Sequence, residues 1–251
     1  MDGGLISGQR YDIIVEANCD VDNYWMRAFP ANGCSAVNNS DWIRAIVRYE
    51  GSDDSIPTST DWTIPDQVCE DEEGLVPWVA RNVGGLAYGD QANISIIKQN
   101  YEKFTMGGTS LQINWDDPTL LLAEKADPSY PGSYNVLEVN GTDDTVSLND
   151  VMRADFLQWI YFVVQSVAPV ALPHPLHLHG HDFLQLAKGT GVFNESVLDN
   201  ANFANPLRRD VMTLPASPRG TPTGGYMVIA FPLDNPGVWV PTHVPKISLF
   251  F

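Results

Sequence analysis

His174-Pro175-Leu176-His177-Leu178-His179-Gly180-His181 holds four of the five histidines in the chain. Imidazole nitrogen is a borderline-soft donor suited to copper, zinc, iron and nickel, and histidines crowd in sequence chiefly where a metal must be gripped. A solitary histidine is most simply a hydrogen-bonded core or surface residue. Four within one short run call for a ligand set. The interleaved Leu and Gly exclude an expression tag. Alternate residues of an extended strand share a face. The spacing therefore predicts His177, His179 and His181 on one side of a strand, with His174 reaching in from the loop before it. Pro173 and Pro175 suit the start of such a strand, because each fixes φ and removes a backbone donor.

Working outward, the chain reads as strands and turns with little helix. Tyr11 to Ala17, Ile43 to Tyr49, Asn93 to Ile97 and Tyr226 to Phe231 are β-branched or aromatic runs of strand length, bounded by Gly, Asn, Asp and Pro. Many short strands with turn signals between them predict an all-β sandwich or barrel. Gly51 to Asp66, rich in Ser, Thr, Asp and Pro, reads as an exposed connection. With 251 residues, 44% of them hydrophobic, the chain can build packed cores in one large or two ordinary domains. Its formal net charge of -17 repels nucleic-acid phosphates and anionic lipid, which removes both as partners. The longest apolar stretch, Trp159 to Val164, is too short to cross a bilayer.

The histidine run resembles the first copper-ligand motif in the last domain of multicopper oxidases, and of ascomycete-type fungal laccases in particular. Gly8-Gln9-Arg10-Tyr11-Asp12, Asn23-Tyr24-Trp25-Met26-Arg27 and Leu75-Val76-Pro77 are similar in order and spacing to the second laccase domain. Arg208-Arg209-Asp210 and Asp234-Asn235-Pro236-Gly237-Val238-Trp239 are similar to the third. The resemblance implies cupredoxin-like Greek-key domains incomplete at both ends: residues 1–84 the C-terminal part of the second domain, and 85–251 the third, truncated after about residue 239. It implies oxidation of phenols and diphenols with reduction of oxygen to water, in an extracellular glycoprotein. A complete member holds four coppers, and this chain keeps only part of their ligands. His174 would ligate the type 1 copper, His177 the type 2 copper and His179 one of the type 3 pair, whereas His181 takes a packing role. Phe104 falls where the family has an aromatic of the phenol pocket, with core packing as its other reading. Asp2 lies one residue short of the family's phenol-binding acid and is not assigned. The likeness also implies a disulfide between Cys34 and Cys69, leaving Cys19 over. Glycosylation acceptors stand at Asn38, Asn93, Asn140 and Asn194.

A zinc hydrolase of the metallo-β-lactamase kind, with its His-x-His-x-Asp-His run, is the competing metal family. Here His181 precedes Asp182, which moves the carboxylate to the other strand face, and no βαβ pattern accompanies it.

The departures from the laccase pattern bear on activity. Beyond Trp239 the family continues to His-Cys-His, whereas this chain has Thr242-His243-Val244 in ungapped register. Without that cysteine the type 1 site lacks its thiolate, and a lone imidazole at His243 does not replace its softness. No histidine precedes His174, so the ligands of a first domain are not in this sequence. Met1 reads as an internal methionine, with no signal peptide after it, and the break past Trp239 reads as intron or frame-shifted sequence. The expectation is therefore a laccase by family that is inactive as an isolated chain. Its alternative is a non-catalytic copper-binding cupredoxin-like remnant. Open sheet edges further predict poor solubility.

Overall fold

The computed structural model describes residues 5–30, 43–60, 70–83, 94–100, 105–106, 116, 118, 121, 125, 136–139, 151–154, 159–166, 173–216, 224–232, 234–235, 237–239 and 241–243. The strands are β1 (Asn23–Arg27), β2 (Arg44–Arg48), β3 (Ile94–Asn100), β4 (Thr105–Met106), β5 (Val136–Val139), β6 (Val151–Ala154) and β7 (Trp159–Ser166). They continue with β8 (His174–Leu178), β9 (Phe183–Thr190), β10 (Arg208–Arg209), β11 (Val211–Leu214), β12 (Gly225–Pro232), β13 (Gly237–Trp239) and β14 (Pro241–His243). A 3-10 segment, Glu195–Asn200, follows β9. The chain divides into two compact units, Met1–Ile6 with Arg10–Glu72, and Ser7–Gln9 with Glu73–Phe251.

The first unit contains the antiparallel pair β1–β2, in register from Asn23 opposite Arg48 to Arg27 opposite Arg44. Asn23, at the end of this register, is buried. Its Nδ2 donates to the Asp53 carbonyl at 3.0 Å, and its Oδ1 accepts from Arg48 and from Ser52 Oγ at 3.0 Å each. Arg48 also caps the carbonyls of Asp53, Asp54 and Ser55, so the turn after Gly51 is laced back onto the ribbon. Gly51 has φ +91°, the left-handed region that glycine enters without a Cβ penalty. Trp25 lies beneath the guanidinium of Arg44, 4.4 Å from its ring centre, and donates Nε1–H to the Pro57 carbonyl.

The second unit is built on a six-stranded sheet, β10-β9-β12-β7-β3-β4, in which β3 and β7 run parallel and the other neighbours antiparallel. Two three-stranded sheets accompany it, β11-β8-β14 and β13-β5-β6. Side chains alternate along β7 and β12 as the pleat requires. Ile160, Phe162, Val164, Met227, Ile229 and Phe231 pack with Leu176, Leu178, Met212 and Leu214 of β8 and β11. Tyr161, Val163, Val228 and Ala230 point the other way, onto Leu186 and onto Leu198 of the 3-10 segment. Both faces of these central strands are buried, which is why β7 and β12 read as nearly continuous apolar runs.

The strands expected over Ile43 to Tyr49, Asn93 to Ile97 and Tyr226 to Phe231 correspond to β2, β3 and β12. Tyr11 to Ala17 does not form a strand. Ile13, Ile14 and Val15 are instead exposed by 62%, 98% and 72%. β-propensity measures fit to a half-buried pleated surface, and no neighbouring strand among the described residues supplies that surface to this run.

Candidate metal centre

The histidine run is shorter as a strand than its spacing predicts. β8 begins at His174 itself and ends at Leu178, and His179-Gly180 forms a turn. His174 therefore belongs to the strand rather than to the loop before it, and His179 and His181 lie past its end. The predicted shared face is corrected accordingly. Gly180 has φ +74°, and the turn through it sends His181 back toward the core. There His181 is buried, with its ring 5.3 Å from that of Phe231.

What the fold does bring together is His177 and His179, with ring centres 4.7 Å apart and planes inclined by 54°. His177 is the middle member of a three-strand register, opposite Val211 of β11 and Thr242 of β14. Its Nδ1 lies 2.8 Å from the Asp210 carbonyl oxygen and 3.7 Å from Asp210 Oδ2. A carbonyl only accepts, so Nδ1 carries the proton, and the lone pair is left on Nε2. Metal-bound histidines characteristically hold their second nitrogen this way, which fixes tautomer and ring orientation. His179 is exposed as a residue, yet partial desolvation of its ring, followed by the neighbouring His177 charge, pushes its pKa below the ordinary value of 6.5. Burial pushes His181 in the same direction. Each shift favours the neutral imidazole, the form that ligates metal.

His174 is buried at the start of β8, opposite Leu214 of β11. It lies three positions before His177 along an extended strand, about 10 Å. His174 and the His177–His179 pair thus serve separate positions. The donor chemistry of the pair fits copper. Among the described residues, no group of three or more His, Cys, Asp or Glu side chains converges closely enough to hold a metal ion.

Asn194 is exposed and caps the 3-10 segment, its Oδ1 accepting from the Ser196 amide at 2.9 Å. Cys19 is an exposed free thiol. Phe104, Cys34, Cys69, Asn38, Asn93 and Asn140 lie outside the described residues, as do Asp2 and the boundary region Gly84-Gly85. No helix among the described residues is long and apolar enough to cross a membrane.

A role for Asp210 and Asn235 was not foreseen. Both sit in stretches, Arg208 to Asp210 and Asp234 to Trp239, that stood out in the sequence. Their proximity to the histidines follows only from folding, since Asp210 is 33 residues from His177 and Asn235 is 55 from Gly180.

A family model described as multicopper oxidase matches residues 112–241, and a second with the same description matches residues 4–52. The chain belongs to the multicopper oxidase family. It is 39% identical to Laccase-2 of Botryotinia fuckeliana over 93% of its own length and 37% of that protein's. It is 31% identical to a laccase of Cryphonectria parasitica, over 93% of its length and 39% of that protein's. The crystal structure of the Botrytis aclada laccase superposes with a TM-score of 0.65 at 33% identity, covering 89% of this chain and 38% of that one. This multicopper oxidase chain is thus all-β and cupredoxin-like. It spans little more than a third of the length of the laccases it matches.

Proposed function

We propose that this chain carries the histidine-run half of a laccase-type copper centre, whose whole-protein activity is oxidation of phenols and diphenols with reduction of oxygen to water. The observation that carries this reading is the His177 Nδ1–H bond to the Asp210 carbonyl beside the exposed His179. It leaves Nε2 of His177 available as a donor. His177 is assigned to the type 2 copper, His179 to a type 3 copper and His174 to the type 1 copper. Copper, when bound, supplies one-electron transfer from the phenol and reduction of oxygen. The chain's own part is to hold His177 rigidly by a three-strand register and a carbonyl, and to favour the neutral form of His179 by desolvation. Phe104 is proposed to line the phenol pocket.

Residues 1–84 and 85–251 are proposed as parts of two successive cupredoxin-like domains; the division of the chain into two compact units supports their number, and it falls between Glu72 and Glu73. We further propose an extracellular setting, a Cys34–Cys69 disulfide, and glycans at Asn38, Asn93, Asn140 and Asn194. The likeness of these segments to fungal laccases motivates these assignments, and the exposed position of Asn194 supports the glycan there. For the 251 residues by themselves we propose copper binding without turnover, because the cysteines are Cys19, Cys34 and Cys69 and none stands near Thr242-His243-Val244.

The test is an exchange. Replacing the matching segment of the Botrytis aclada laccase by residues 173–239 of this chain is expected to give a blue, phenol-oxidising chimera. A folded chimera that binds no copper through the exchanged histidines would overturn the assignment. The chain itself, supplied with copper, is expected to show no intense thiolate-to-copper absorption and no phenol oxidation. A blue, active preparation would restore turnover to it.

A further inference from the structure

We infer that Asn235 is a positioning residue, which holds the His179-Gly180 turn so that His179 stays beside His177. The inference rests on the copper reading of those two histidines.

The two imidazoles are supported very differently. His177 lies within a three-strand ladder and is tied to the Asp210 carbonyl. His179 lies beyond the last paired residue of β8, on a turn whose second residue is glycine. A glycine at φ +74° has more alternative conformations available than any other residue would. The ladder stops at Leu178, so something beyond it must select one of them. Asn235 does so: its Nδ2 donates to the Gly180 carbonyl oxygen at 2.8 Å.

Asn235 is itself held from the opposite side. The neighbouring Asp234 pairs with Arg81 at 3.3 Å, and the Arg81 guanidinium lies 5.6 Å from the ring centre of Trp159 on the central strand β7. The Arg81 amide donates to Asn205 Oδ1, and Asn205 Nδ2 donates to the Pro77 carbonyl. Asn205 adopts φ +50°, one of the few conformations in which Asn is tolerated much better than most side chains. The segment bearing Pro77 and Arg81 is thus strapped to the sheet, and Asp234-Asn235 is strapped to it. Each link is weak alone, the half-exposed ion pair above all. Together they give the turn a fixed external support where the ladder gives none, and preorganised ligands bind metal more tightly than mobile ones.

The experiment uses the full chain, Cu(II) as the probe, and three variants: Asn235→Leu, which removes the donor while keeping a branched, uncharged side chain, Asn235→Ala, and His179→Ala. Copper affinity is measured by calorimetry, imidazole ligation by electron paramagnetic resonance, and backbone order by amide hydrogen exchange. Both Asn235 variants are expected to bind copper about tenfold more weakly. Exchange at Gly180 and His181 should accelerate by about tenfold as well, while Val228 in the core keeps its protection. Unchanged copper affinity together with unchanged exchange at Gly180 and His181 would overturn the inference. So would a loss of protection that extends to Val228, which would assign Asn235 to the fold as a whole. If the unaltered chain and His179→Ala bind copper alike, the copper reading fails. The exchange data then decide by themselves whether Asn235 orders the turn.

Discussion

The two compact units hold their strands by opposite means. In the first, a two-stranded ribbon has no second layer to pack against among the described residues. Its hub is an amide at one end of the ribbon: Asn23 and Arg48 between them bind the Asp53, Asp54 and Ser55 carbonyls, Ser52 Oγ and each other. Ile14, Val15 and Val21 remain exposed. In the second unit, Val163, Met212, Leu214, Val228, Ala230 and Phe231 are fully buried between layers. An amide hub occurs there too. Gln165 donates to the Ser166, Gly191 and Gly225 carbonyls and accepts from the Phe193 amide, but it sits at the end of a strand that is already packed on both faces. A lone ribbon is marginal in water without a hydrophobic layer. The contrast teaches that side chain to backbone bonds fix the conformation of the first unit, whereas they only finish the second. The histidine strand belongs to the unit that is fixed by volume.

The largest expected effect is therefore loss of volume in the second unit. Phe231→Ala removes a ring that touches both Phe162 and His181. It should cost about 3–5 kcal/mol, read as a lowered denaturation midpoint. The same substitution should leave amide protection in β1 and β2 unchanged, and a matching loss there would erase the distinction between the units. Next, Asn23→Ala leaves buried partners without bonds and should cost about 1–3 kcal/mol. Exchange at β1 and β2 should then accelerate while Val228 stays protected. Gln165→Ala removes a comparable set of bonds and should lie in the same range, about 1–3 kcal/mol. Its effect should appear as faster exchange at Gly191 and Phe193, with the β7–β12 ladder intact. If Gln165→Ala unfolds the whole sheet, the second unit depends on its hub as much as the first does.

Smallest is the response to pH, which should separate the units by the order in which they loosen in acid. Bonds from Ser55 and Asn23 and the charge of Arg48 hold the Asp53 carboxyl below its ordinary value of 3.8. Its ionised form is favoured by folding, so its contribution is present above pH 3.8 and is lost as pH falls through the depressed folded value. Burial pushes the Tyr161 phenol above 10.0, so its contribution is present below that pH and is lost as pH rises through the raised folded value. On acidification the second unit should lose the contributions of His181 and His179 first, as pH falls below 6.5, and β1–β2 that of Asp53 only below 3.8. Alkali should remove the contributions of Tyr161 in the large sheet and of Tyr24 on β1, whose phenol is also raised. Exchange followed as pH falls checks this order, and loosening of β1–β2 before the segment around His181 would contradict it.

The β class, the histidine run and the multicopper oxidase resemblance were legible in the sequence because composition, turn residues and ligand spacing are local properties. Tyr226 to Phe231 is legible as a strand for the same reason, whereas the burial of β7 and β12 on both faces appears only in the fold. Tyr11 to Ala17 misled, since propensity reports suitability for a sheet and says nothing of whether a partner strand is present. The histidine run misled in a finer way. Its alternation suggested one uninterrupted strand, but Gly180 closes the strand at Leu178 and splits the four histidines into a ladder pair, a turn and a core residue.

The sequence by itself determined which residues can be ligands, because that depends on side-chain chemistry alone. Only the tertiary structure decided which nitrogen of His177 is available, since that depends on a carbonyl 33 residues away. It also decided that His179 stands beside His177 while His181 turns inward, because the conformation of a glycine turn depends on contacts from distant residues such as Asn235.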